Sequence, residues 1–190
     1  MNKTTNASKT ETVILGLGSN LGDRLDNIMY AIQKLAEQSK ISITACSNVY
    51  ESKAIGFNAD NFYNLTLAIS CSIPPLTLLE VTQKIEISTG RKQNKEGIRN
   101  TKYSSRKIDI DILYYGNIIL NTTRLILPHP EINKRLFVTK PLQDLNPLVT
   151  SLCIDRQETN VVLLKKQEII ELTEVSKQLK TALKRKQLLK

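Results

Sequence analysis

The sequence predicts an α+β fold, a mostly antiparallel sheet with helices packed on it and one further helix near the C-terminus. Two observations carry that expectation. Segments of strand and helix periodicity follow one another as strand, helix, strand, strand, helix, strand. Residues 62–72 also alternate cleanly, with Leu65, Leu67, Ile69 and Cys71 on one face and Asn64, Thr66, Ala68 and Ser70 on the other. A strand in an antiparallel sheet covered on one side reads that way.

Residues 1–11 are polar and read as a disordered leader. Residues 12–17 form an apolar strand, followed by the glycine-bearing turn Gly16-Leu17-Gly18-Ser19-Asn20-Leu21-Gly22-Asp23. Leu25, Ile28, Met29, Ile32, Leu35 and Ala36 recur at helical spacing, and Asp23 is placed to cap that helix. Residues 41–50 are rich in β-branched side chains and predict a strand. Pro74-Pro75 opens a second helix with a Leu78, Val81, Ile85 stripe, and Gly90 stops it. Residues 91–105 are polar and aperiodic, a length that suggests a binding loop or lid. Residues 107–115 are a strand, and Tyr115-Gly116-Asn117-Ile118 a turn into a short partner. Segments 125–130, 136–138 and 141–147 complete the body. The order is that of the ferredoxin-like sandwich, helices on one face of the sheet. The expected division is a leader over 1–11, one domain over 12–164 and a basic helical tail over 165–190. In that tail Ile169, Leu172, Val175, Leu179 and Leu183 lie roughly on one side of a docking or solvated helix.

The chain has 190 residues, 41% of them hydrophobic and 24% charged, which suits one globular domain. Its net charge of +9 is uneven, because the segment after 164 carries eight basic residues against three glutamates. The body is only mildly basic, so general nucleic-acid binding is not required. Three cysteines without a Cys-x-x-Cys pair read as reduced thiols of a cytoplasmic protein. No apolar run is long enough for a signal sequence or a membrane span.

The strongest chemical signal is Arg106-Lys107-Ile108-Asp109-Ile110-Asp111-Ile112-Leu113. On a strand the isoleucines face one way and both aspartates the other, with Cα atoms about 6.6–6.8 Å apart. Two like charges side by side repel, and a hard cation between them removes the repulsion, oxygen being the ligand magnesium prefers. The spacing is compatible with two ions roughly 3.5–4 Å apart. Around this strand stand Arg91, Lys92, Arg99, Lys102, Arg106, Lys107, Arg124, Lys134 and Arg135. Arginine grips phosphate oxygens with a planar fork, and phosphoryl transfer depends on positioning and charge neutralisation. The glycine turn lacks both the dinucleotide fingerprint and the Walker A Gly-Lys-Ser/Thr, so it reads as a cap between strand and helix. His129 is the single histidine; no Gly-x-Ser-x-Gly motif accompanies it, and it suits a phosphate or nucleotide contact.

These residues resemble the 6-hydroxymethyl-7,8-dihydropterin pyrophosphokinases. The motifs are Gly18-Ser19-Asn20-Leu21-Gly22-Asp23, Phe62-Tyr63-Asn64, Gln83-Lys84-Ile85-Glu86 with Gly90-Arg91, Arg106-x-x-Asp109-x-Asp111, and Pro128-His129-Pro130 with Arg135-x-Phe137. The resemblance spans about 13–149. It implies an enzyme of folate biosynthesis that moves the pyrophosphoryl group of ATP to the pterin's hydroxymethyl group, giving AMP; some members are fused to neighbouring folate enzymes, and with a short leader and only a helical tail this chain is expected to be monofunctional. It implies that Asp109 and Asp111 hold two magnesium ions and that Arg91 and Arg106 contact the triphosphate. Gln83, Glu86, Ile112, Arg124, His129 and Arg135 would line the nucleotide side. Phe62 and Phe137 would sandwich the pterin, with Asn64, Ser52, Ile55 and Gly56 at its polar edge. Residues 92–105 would be the lid, with Gly97 compatible with its movement. The family often has glycine or alanine at Ser104, proline at Lys53, and in some members tryptophan at Tyr103. No general base is evident, so magnesium bridged by Asp109 is expected to acidify the substrate hydroxyl. The expected partners are small molecules, not nucleic acid or membrane, and the expected state is a monomer. The alternative is a nucleic-acid-binding module, but Asp109 and Asp111 on the central strand would repel a phosphate backbone.

Overall fold

The computed structural model describes residues 9–55, 58–90, 105–150 and 167–189. Among these, six strands form one sheet. They are β1 (Glu11–Ser19), β2 (Ile41–Cys46), β3 (Tyr50–Ser52), β4 (Phe62–Cys71), β5 (Asp109–Tyr115) and, after the short β6–β7 hairpin, β8 (Ile169–Glu171). Their order is β5-β1-β4-β3-β8, with β2 also on β4, and every pairing is antiparallel. β6 (Leu120–Asn121) and β7 (Ile126–Leu127) pair only with each other. This is the expected ferredoxin-like order, with its second strand in two pieces.

The break lies at Ser47–Val49, where a single strand over 41–50 was expected. Side chains from far along the chain take the backbone groups a ladder would use. Asn48 N–H donates to Asp144 Oδ2 (2.8 Å) and Val49 N–H to Ser176 Oγ (2.9 Å). Ser47 Oγ meanwhile accepts the Thr66 N–H (2.9 Å). Buried backbone donors need partners, and once these are supplied from elsewhere the regular ladder ends.

Two helices cover the first face. In α1 (Arg24–Ala36) Asp23 caps as expected, its carboxylate accepting the Asp26 N–H, and Ile28, Ala31, Ile32 and Leu35 are buried. α2 (Pro75–Ser88) opens on proline and ends before Gly90, whose φ of 103° only glycine adopts easily. Beneath them Val13, Leu15, Leu17, Leu65, Leu67, Ile69, Ile110 and Ile112 form the main core.

The second face is also covered, but at one end only. There Ile14, Ala68 and Leu113 pack under Ile132, Leu142 and Leu145, from the turn before α3 (Leu136–Asp144) and from that helix's end. α4 (Asn146–Thr150) follows directly. Thr66 and Ala68 are thus buried rather than solvated, although residues 62–72 alternate as if one face were wet. The small size of Ala68 lets a second layer approach.

The C-terminal segment joins the same body. β8 adds a strand beside β3, so Ile169 is not in the helix where it was expected. α5 (Thr173–Arg185) places Leu179 and Leu183 in the main core beside α1, and Leu189 bridges to Ile43. No helix among the described residues is long and apolar enough to cross a membrane.

Candidate active site

β5 turns Ile110 and Ile112 into the main core and leaves Asp109 and Asp111, both half-buried, on the second face. Opposite them on β1, in register, stand Gly18 and Gly16. β4 extends the two rows with Asn64 beside Gly18 and Thr66 beside Gly16. With no Cβ on two successive positions of that face, the floor between the carboxylates and β4 is a trough, bounded at the Gly16 end by Leu113, whose side-chain carbons lie 3.5 Å from where a Gly16 Cβ would be. A Cβ on Gly18 would lie 3.5 Å from Asn64 Oδ1 and 3.7 Å from Phe62 Cδ1. Both glycines therefore sit within β1, whereas a turn was expected to begin at Gly16. Their two-residue spacing was the available signal, since residues i and i+2 share a strand face. Thr66 Oγ1, buried at the end of the second row, has no hydrogen-bond partner among the described residues.

Asn20 holds the chain where it turns into β5. Its backbone N–H donates to Arg106 C=O (3.0 Å), while its Oδ1 accepts the Arg106 N–H (2.7 Å). Its Nδ2 donates to Ser105 Oγ (3.1 Å) and Asp60 C=O (3.3 Å). Arg106 then lays Nη1 on Asp109 Oδ1 at 2.6 Å. Asn20 was singled out only as part of a motif, without a role. Glu86, expected at the nucleotide, is 1% exposed and its Oε1 accepts the Ile110 N–H at 2.9 Å. It clamps the outer edge of β5 between the two aspartates. Since Ile110 N–H points outward, the two-residue period turns the Ile112 backbone to the same edge, while its side chain stays in the core.

On the opposite flank, Ser52 and Asn64 are buried and joined by a bond from Asn64 Nδ2 to Ser52 Oγ (3.0 Å). Nδ2 also approaches the carbonyls of Phe62 (3.3 Å) and Tyr50 (3.5 Å). Phe62 shares their face. Of these residues Ser52 lines a cavity of about 230 Å³, together with Ile55, Leu136 and Phe137. Phe137 stands in the first turn of α3, and the Arg135 guanidinium carbon lies 5.7 Å from its ring centroid. Burial, and after it the Asp144 carboxylate, hold the Tyr50 phenol above its ordinary value, so it stays a neutral donor to Asp144.

The other predicted residues fall into two groups. His129, Lys134 and Arg135 gather around Glu131. The Glu131 N–H donates to His129 Nδ1 (3.2 Å), Lys134 pairs with Glu131 Oε1 at 2.9 Å, and Arg135 Nε lies 3.7 Å from Oε2. Lys134 and the neighbouring cations hold the Glu131 carboxyl below its ordinary value. Arg124 pairs with Glu80 at 3.1 Å, one helical turn before Gln83 on α2. Arg91, Gly56 and residues 92–104, including Gly97, Tyr103 and Ser104, lie outside the described residues. Among the described residues no group of three or more histidine, cysteine, aspartate or glutamate side chains is arranged to hold a metal. Two adjacent carboxylates are still a fitting donor set for a hard cation whose other ligands are phosphate oxygens and water.

Residues 14–147 match the family model described as 7,8-dihydro-6-hydroxymethylpterin-pyrophosphokinase (HPPK). The chain is 45% identical over 139 residues to a 2-amino-4-hydroxy-6-hydroxymethyldihydropteridine pyrophosphokinase of Aquifex aeolicus, covering 73% of this chain and 82% of that one. It is 35% identical over 132 residues to the protein of the same description from Bacillus subtilis, covering 69% and 75%. In fold it is similar to a Plasmodium falciparum HPPK-DHPS crystal structure with pteroate, at a TM-score of 0.53 and 16% identity. That match covers 74% of this chain and 40% of the other.

Proposed function

The chain belongs to the 7,8-dihydro-6-hydroxymethylpterin-pyrophosphokinase family, and we propose that the trough between β5 and β4 is where its two substrates meet. Its activity is transfer of a pyrophosphoryl group from ATP to hydroxymethyldihydropterin in folate synthesis. The observation that carries the site assignment is the register of Asp109 and Asp111 against Gly18 and Gly16. It sets the paired carboxylates beside two positions that carry no side chain of their own.

In this reading Asp109 and Asp111 hold two magnesium ions. When bound, magnesium supplies neutralisation of phosphate charge and acidifies the attacking hydroxyl. Arg106, which contacts Asp109, is assigned to an oxygen of the transferred group, where it would stabilise developing charge. Arg91 is assigned the same task on the family motif. Gln83, Arg124, His129 and Arg135 are assigned to the nucleotide, together with the outer backbone of Ile112. Glu86 acts there by holding that edge in place. On the other flank Phe62 and Phe137 are assigned to the pterin faces. Asn64 and Ser52, with Ile55 and Gly56, are assigned to its polar edge, where buried amide groups reject rings of the wrong pattern. Residues 92–105 are assigned as the lid that keeps water from the triphosphate.

We place the enzyme in the cytoplasm, in keeping with the unpaired Cys46 and Cys71. We read it as a monomer. The test is Asp109→Asn and Asp111→Asn, each assayed at saturating magnesium. Turnover should fall by at least about a hundredfold, as when a preorganised charge-stabilising group is removed, with the fold retained. Near-normal turnover in either variant would remove the metal assignment.

A further inference from the structure

The cavity beside Ser52 has a third wall that comes from beyond the residues matching the family. Gln167 and Glu168 line it together with Ile55 and Phe137, while the family match ends at 147. α3 begins without a side-chain cap of its own, because Arg135 at the capping position makes no such bond. Gln167 supplies it from 31 residues away: its Oε1 accepts the Leu136 N–H at 2.7 Å. Its Nε2 donates to the Lys134 carbonyl at 2.8 Å. One carboxamide thus grips the backbone on both sides of Arg135 and holds the turn that carries Phe137.

The other end of this clamp is anchored on the opposite wall. Glu168 pairs with Lys53 at 2.7 Å, and β8 continues as a strand beside Tyr50–Ser52. β8 then leads into α5, whose Leu179 and Leu183 are fully buried in the core. Gln167 therefore reaches from the strand that carries Ser52 to the helix that carries Phe137, at a separation set by β8.

We infer that Gln167 is a positioning residue for the pterin, fixing the Phe137 wall at a set distance from the Ser52 wall. The inference rests on the assignment of this cavity to the pterin. Gln167 does not touch the reacting phosphates, so its influence falls on one substrate. Gln167→Ala should raise KM for hydroxymethyldihydropterin roughly three- to tenfold, the size of one lost capping interaction. KM for ATP and kcat should stay within about twofold. Gln167→Glu keeps an oxygen for the Leu136 N–H but loses the donor to Lys134, and should fall between wild type and Gln167→Ala. It also carries the test if the alanine variant does not fold. Lys177→Gln, an exposed change on the same C-terminal segment, should alter neither KM.

An unchanged pterin KM in Gln167→Ala would overturn the inference. So would a rise of both KM values together with lower kcat and Tm, which would mean support of the fold alone. Phe137→Ala separates the two levels. If it leaves the pterin KM unchanged, the cavity's assignment fails; if it raises that KM and Gln167→Ala does not, only the role of Gln167 fails.

Discussion

Glu86 offers the sharpest test of how the fold holds the site. Its carboxylate, in a residue 1% exposed, accepts the Ile110 N–H at 2.9 Å from the outer edge of β5. Glu86→Ala removes the carboxyl oxygen that accepts the Ile110 N–H. A bond to a charged group contributes about 1.5–3 kcal/mol, so for a residue this buried the expected loss is about 2–3 kcal/mol. At roughly 2–4 °C per kcal/mol for a chain of this size, Tm should fall by about 4–12 °C. Glu86→Gln keeps an acceptor oxygen and gives up only the charge, so about 1 kcal/mol or less should be lost. Urea unfolding of the three proteins measures this directly through the midpoint. Because Ile110 sits between Asp109 and Asp111, kcat should fall further in Glu86→Ala than in Glu86→Gln. A change below about 0.5 kcal/mol in Glu86→Ala would refute the clamp and return Glu86 to a ligand-contact role.

Gly18→Ala should retain wild-type stability to within about 1 kcal/mol, since its Cβ meets only ordinary contacts and alanine suits a strand at least as well. Gly18→Val should fill the trough, costing roughly 1–3 kcal/mol by overpacking and nearly all activity; unchanged kcat/KM would show that the trough is not used. Burial pushes the Cys46 thiol up to about 12, so at pH 8 its alkylation by iodoacetamide should be slower than that of a free thiol by roughly three orders of magnitude. Rapid labelling of native Cys46, which is partly buried, read by mass spectrometry, would contradict that rise. Glu131 has a folded-state pKa below its ordinary value, chiefly through the Lys134 hydrogen bond, so it stabilises the fold above about pH 4.5. That contribution is lost as pH falls through the lowered value, so the small destabilisation in Glu131→Gln at pH 7 should shrink progressively in acid below about pH 4.5. A deficit that persists in acid would show that charge is not its source.

What could be read in the chain beforehand was local. The faces of β5 follow from the alternation of isoleucine and aspartate, and the start of α1 from Asp23, because strand period and capping depend on near neighbours. What escaped depends on distant partners. The interruption at Ser47–Val49 is made by Asp144 and Ser176, respectively 96 and 127 residues away from the amides they accept. Glu86 was expected at the nucleotide, and nothing in its neighbours shows that Ile110 needs an acceptor. Ile169 fits the apolar stripe of the tail helix as well as it fits a strand, and only an open edge on β3 decides between them. Gln167 carried no local signal at all, since its partner is the uncapped end of a helix 31 residues earlier.

The most direct measurement incubates the protein with ATP, magnesium and 6-hydroxymethyl-7,8-dihydropterin and identifies the nucleotide product, alongside Asp109→Asn. The account predicts AMP, formed one for one with pterin pyrophosphate, only when pterin and magnesium are both present, and almost none from the variant. ADP as the product, or AMP released at the same rate by Asp109→Asn, would contradict it.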